Sequence, residues 1–198
     1  ETGIKVVYDV FDSNEVLEAK LMTGSSGYDL VVPTGAFLER QIQAGIYATI
    51  DSSKLSNYGN LDKTLLEKVA RHDAGNAHSV PWAWGTIGLG YNVEMIKARL
   101  GEMPVDTLDL IFDPRISAKL KDCGIGLLDS PAEVMSIALN YVGLDPNSES
   151  KSDLGKAEAL MKANRDNYRY FHSSQYISDL ANGEICVALG YNGDILQS

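Results

Sequence analysis

The side chains best suited to chemistry in this chain are carboxylates and aromatic rings. Glu133 lies in LLDSPAE, Tyr191 and Asp194 lie in GYNGD, and Trp82 and Trp84 flank Ala83. Each falls at or just beyond the C-terminal end of an apolar run of strand length. In open α/β sheets ligands bind at that edge. Carboxylates beside aromatic faces suit a ligand that carries positive charges on an apolar spacer. Taken singly, these residues have ordinary uses as well. Glu133 favours a helix N-terminus through the backbone dipole, and aromatic rings fill cores.

Other reactive constellations are missing from the pattern. His72 and His78 share the polar loop RHDAGNAH, with a spacing that fits no zinc motif and no cysteine nearby, so a surface loop is expected. His172 stands next to Ser173 and Ser174, but there is no G-x-S-x-G elbow. A helix cap from Ser173 or Ser174 ahead of Gln175 is the expected role. The glycines of GTIGLGYN do not form G-x-G-x-x-G, and no GK[ST] follows a Gly-rich run, so nucleotide binding has no support. No catalytic residue, metal ligand or cofactor site is assigned.

The elements that must position the acidic and aromatic residues alternate between strand and helix. Apolar runs at Ile4–Phe11, Tyr28–Val32, Ser79–Ala83, Gly88–Asn92, Gly124–Leu128, Tyr168–Phe171 and Ile185–Gly190 read as strands, with a short edge segment at Tyr47–Ile50. Between them lie helices. One follows Asp12 or Ser13 and ends at Gly24. Others cover Phe37–Ala44, Leu61–Ala70, Met95–Leu100, Pro131 to about Val142 with Ser130 as its cap, Asp153–Asn164 and Gln175–Ala181. Continuous apolar strands separated by helices imply an α/β fold with a parallel sheet covered on both faces. Glu1-Thr2-Gly3 reads as the tail of a helix, and Gly193–Ser198 as the opening of one. The chain therefore reads as cut from something longer at both ends.

The chain has 198 residues with 17 Lys+Arg against 27 Asp+Glu, a formal net charge of −10. No basic patch of the kind a nucleic-acid binder uses is visible. A negative field raises the local concentration of cations, and it also serves solubility alone. No run approaches the length that spans a bilayer. The two cysteines, Cys123 and Cys186, match no metal or CxxC spacing. Each sits at a strand edge, and neighbouring parallel strands could bring them within disulfide reach. Two separate buried thiols fit the pattern equally well.

Five stretches, ETGIKVVYDVFDSNEVLEAKL, GYDLVVPTGAFLERQIQAG, GTIGLGYN, CGIGLLDSPAEV and RYFHSSQYISDLANGEICVALGYNGDI, together resemble the putrescine- and spermidine-binding periplasmic proteins of bacterial polyamine transporters. The resemblance runs from residue 1 to residue 198. It implies a type II periplasmic-binding-protein fold of two α/β lobes, here incomplete at both ends. Residues 1–83 would form part of the first lobe and residues 84–198 the second. Ligand would be trapped by hinge closure.

The resemblance also implies roles. Thr34 matches a family Ser that contacts ligand. Glu133 and Asp194 match carboxylates that bind amines. Tyr191 matches an aromatic that packs on the methylene chain, a Trp in close relatives. Ala36, Phe37 and Ser130 fall where the family adjusts ligand preference, and small Ala36 with uncharged Ser130 suits a diamine. The family's two cysteines imply a Cys123–Cys186 disulfide. The expected protein is a monomeric, periplasmic, non-enzymatic receptor of putrescine, or next of spermidine. Its partner would be the membrane permease of an ABC importer. The alternatives are an α/β enzyme acting on a small amine, which would need a nucleophile, metal or cofactor, and a polyamine-sensing module without transport.

Overall fold

The computed structural model describes residues 2–102 and 106–198. Glu1, the first residue of the expected helix tail, lies outside them; Gly3 adopts the positive φ of 72° that such a C-terminal position uses. The chain divides into two compact units, residues 1–84 and 85–198.

The first unit is built on three helices: α1 (Asn14–Met22), α2 (Gly35–Gln43) and α3 (Lys63–Val69). Ser13 caps α1, its hydroxyl accepting from Val16 N, and Gly24 just past the end takes a φ of 75°. Leu17 and Leu21 of α1 and Phe37 and Leu38 of α2 are buried and form the unit's small apolar core. An ion pair joins the helices at the rim, Arg40 Nη2 to Glu18 Oε1 at 2.8 Å. In the loop after α3, Asp73 is 1% exposed and accepts from Ala77 N, His78 N, His78 Nδ1 and the Ser79 hydroxyl. The loop expected to be a simple surface feature is thus organised around a buried carboxylate.

The strands expected at Ile4–Phe11, Tyr28–Val32 and Ser79–Ala83 are not formed. Neither is the edge segment at Tyr47–Ile50, where Ile50 N makes one backbone bond to Ala77 O at 2.7 Å. The apolar side chains of these segments stand in solvent: Val7 is 86% exposed and Leu30 85%. The composition is that of strands, but a strand exists only as one member of a hydrogen-bonded ladder. Among the described residues of this unit no segment supplies the other member.

The second unit contains a four-stranded sheet in the order β1-β4-β2-β3, made of β1 (Ile87–Tyr91), β2 (Ile125–Leu127), β3 (Tyr170–Phe171) and β4 (Val187–Tyr191). β2 runs parallel to both β3 and β4, as expected. β1 departs from the all-parallel expectation and pairs antiparallel with β4, Ile87 opposite Tyr191 and Leu89 opposite Leu189. An antiparallel edge strand on an otherwise parallel sheet is a common solution.

The helices of this unit are α4 (Val93–Leu100), α5 (Asp109–Phe112), α6 (Pro114–Leu120), α7 (Pro131–Tyr141), α8 (Lys151–Asn164), α9 (Gln175–Ala181) and the single turn α10 (Asn192–Ile195). α5 and α6 were not anticipated. Asp113, capping Arg115 N, and Pro114 at the first turn are the signals that announce α6. Ile125, Leu127, Leu128, Val187, Ala188 and Leu189 are wholly buried, so β2 and β4 form the centre of the core. Asn164, also wholly buried, donates to Phe112 O and Leu160 O and accepts from the Ser117 hydroxyl, joining α5, α6 and α8. Cys123 and Cys186, immediately ahead of the β2 and β4 regions, are joined in a disulfide with Cα atoms 5.4 Å apart.

Candidate functional site

β2 and β4 are parallel neighbours, so their C-terminal ends lie on one edge of the sheet. The segment after β2 turns at Ser130 into α7, whose first turn carries Glu133. Pro131 opens that helix with its φ preset. The last residue of β4 is Tyr191, and Asp194 follows in α10. The chain therefore delivers Glu133, Tyr191 and Asp194 to one edge.

There they are joined by hydrogen bonds through a residue the sequence did not single out. The Tyr191 hydroxyl donates to Glu133 Oε2 at 2.7 Å. The Tyr176 hydroxyl donates to Asp194 Oδ2 at 2.7 Å and accepts from Tyr191 N at 3.1 Å. Two carboxylates are thus each met by a phenol, and the phenols are linked through the backbone of Tyr191. Burial, reinforced by the Asp194 carboxylate, pushes the Tyr176 hydroxyl far above its ordinary range, which keeps it a neutral donor. Glu133, Tyr191 and Asp194 are each half-buried. Asn192 closes the neighbouring turn: its side chain accepts from Thr86 N at 3.1 Å and its N–H donates to Thr86 O at 2.9 Å.

Ser130 is 2% exposed at the start of α7, but its side chain does not form the expected cap bond. Neither does Ser174 at the start of α9. There His172 takes over, its Nδ1 accepting from Ser174 N at 3.2 Å and Gln175 N at 3.1 Å. A histidine three residues ahead of the helix thus satisfies two of the amides left open at its start.

Thr34, Ala36 and Phe37 lie together at the start of α2 in the first unit. Thr34 N donates to the buried Asn14 side chain at 2.9 Å. Ala36 is exposed. The Phe37 ring is 4% exposed, and the Arg40 guanidinium lies 4.4 Å from its centroid. His72 packs against Gly35, where a side chain would collide with the imidazole ring. Its Nδ1 lies 3.0 Å from Glu39 Oε2. Trp82 and Trp84 are exposed.

Among the described residues no group of three His, Cys, Asp or Glu side chains is arranged to hold a metal ion. No helix among them is long and apolar enough to cross a membrane. The edge built by Glu133, Tyr191 and Asp194 offers negative charge beside an aromatic face. That arrangement accepts hydrogen bonds from cations and covers an apolar chain.

The chain is 58% identical over 200 residues to the putrescine-binding periplasmic protein PotF of Escherichia coli (strain K12), covering 100% of this chain and 54% of that protein. It is 55% identical over 199 residues to the putrescine-binding periplasmic protein SpuD of Pseudomonas aeruginosa (strain UCBPP-PA14), again covering 100% of this chain and 54% of the relative. Among solved structures, the TpPotD lipoprotein of Treponema pallidum superposes with a TM-score of 0.78 at 30% identity, covering 97% of this chain and 57% of that one. The chain spans about half the length of the curated relatives it matches. The fold is that of a type II periplasmic binding protein. With residues 1–197 matched by the model of the bacterial extracellular solute-binding proteins, the chain belongs to that family.

Proposed function

We propose that this chain is part of a periplasmic receptor that binds a polyamine, putrescine foremost and spermidine next, and hands it to the permease of an ABC importer. The observation that carries this reading is the pair of carboxylates, Glu133 and Asp194, tied to Tyr191 at one sheet edge. The identity with two putrescine-binding proteins supports it.

Putrescine at neutral pH is a flexible dication. Burying it strips water from both ammonium groups, so each must meet an anionic or hydroxylic acceptor. Glu133 and Asp194 supply two such acceptors, and the Tyr191 ring covers methylene carbons between them. The net charge of −10 draws a cation toward the protein. Thr34 is proposed, from the resemblance, to contact ligand, and Ala36, Phe37 and Ser130 to act on ligand choice. No bond is made or broken in this reading, and the protein acts as a monomer. The Cys123–Cys186 disulfide is the kind of bond that persists in an oxidising compartment.

The test is a thermal-shift panel of putrescine, cadaverine, agmatine, spermidine and n-butylamine on the full-length protein, followed by titration calorimetry. A diamine should raise the unfolding temperature most, since bound ligand stabilises by mass action. The singly charged n-butylamine should do little. Equal shifts from n-butylamine and putrescine would sink the two-carboxylate reading.

A further inference from the structure

We infer that Tyr176 is a positioning residue for amine recognition, setting both the Asp194 carboxylate and the backbone that carries Tyr191. The inference rests on the polyamine reading above.

Tyr176 is wholly buried in the first turn of α9. Its ring crosses β4 at Gly190, which has no side chain to obstruct it. A Cβ at Gly190 would run into the ring itself. The close approach brings the hydroxyl past the strand to its C-terminal edge. There it makes two bonds of opposite sense, donating to Asp194 Oδ2 at 2.7 Å and accepting from Tyr191 N at 3.1 Å. Asp194 stands on a helix of one turn, which cannot hold a side chain in place unaided. The phenol supplies that restraint and occupies one oxygen of the carboxylate. A buried hydroxyl that has lost its water is committed to these partners. Asp194 therefore meets an ammonium group with one carboxylate oxygen already fixed. Preorganisation of this kind raises affinity by reducing what binding must order.

The arrangement has a hierarchy. His172 caps the helix, the helix carries Tyr176, and Tyr176 fixes the two groups that meet ligand. Tyr176 itself touches no ligand in this scheme. Its contribution runs entirely through Asp194 and Tyr191.

A double-mutant cycle on the full-length protein tests this, with Tyr176→Phe, Asp194→Asn and the pair, each titrated with putrescine by calorimetry. Tyr176→Phe removes one oxygen and keeps the ring. It should weaken putrescine about tenfold, while the unfolding temperature of the ligand-free protein falls by no more than about 5 °C, the scale of losing two hydrogen bonds in a large protein. In the Asp194→Asn background the same substitution should cost less than about threefold, because the restrained carboxylate is gone. Tyr176→Phe with unchanged affinity overturns the inference, as do losses that multiply in full across the cycle. A fall in ligand-free unfolding temperature beyond about 10 °C also overturns it, by making Tyr176 a determinant of folding. If Asp194→Asn alone leaves binding unchanged, the placement of the amine site fails first, an outcome distinct from the others.

Discussion

The Tyr191 hydroxyl donates to Glu133 Oε2 at 2.7 Å, joining residues 58 positions apart across the ends of two parallel strands. The bond orients the ring and satisfies one carboxylate oxygen at once. Replacing Tyr191 by Phe removes the bond but keeps the face; replacing it by Leu removes both. Tyr191→Leu should therefore weaken putrescine binding by about 0.5–2 kcal/mol more than Tyr191→Phe does, the size of a cation–π contribution. Calorimetric titration of the two variants measures the difference. Equal losses would show that the ring face takes no part.

Asp194 is proposed as the second acidic anchor. Asp194→Asn keeps the shape and removes the charge. Charge-assisted hydrogen bonds contribute about 1.5–3 kcal/mol, so the dissociation constant should rise more than about tenfold. An unchanged titration would remove Asp194 from the site.

Cys123 and Cys186 close a loop of 63 residues in sequence separation. Replacing both by Ala should lower the unfolding free energy by about 2–5 kcal/mol in urea titration. Reductant should have the same effect on the unmodified protein and none on the variant.

Asp73 sets a pH dependence in the first unit. Its burial opposes ionisation, and hydrogen bonds from His78 and Ser79 outweigh that, leaving the carboxyl below its usual range. A carboxyl with a depressed folded-state pKa contributes stability above its unfolded value, about 3.9, and loses it as pH falls through the folded value. The unmodified protein should lose unfolding temperature steeply below about pH 4. Asp73→Asn should start lower at pH 7 and show a shallower decline. Parallel curves would show that Asp73 does not contribute.

Much of the second unit was legible in the sequence because β2 and β4 are buried on both faces. Their apolar runs had no other use, and Pro131 and Ser130 marked where α7 begins. The edge holding Glu133, Tyr191 and Asp194 followed from placing acidic and aromatic residues after those runs. Tyr176 was not legible, because its importance comes from a ring passing a glycine fourteen residues later. The available signal was Gly190 itself, a residue with no side chain at the end of a buried strand. The strands expected around Val7 and Leu30 failed for the opposite reason. Their composition was strand-like, but pairing is a property of two segments, and one segment cannot report the other. His172 was read beside the serines, yet its nitrogen and not their hydroxyls caps α9.

The disulfide sits at the entry of β2 and β4, and the two acidic groups sit beyond the exits of the same strands. A pin at one end of a pair of rails holds their stagger at the other. On the polyamine reading, the gap between the two negative charges would lean on sulfur chemistry a strand's length away. On that reading, such a receptor would distinguish amines by length best while that pin is closed.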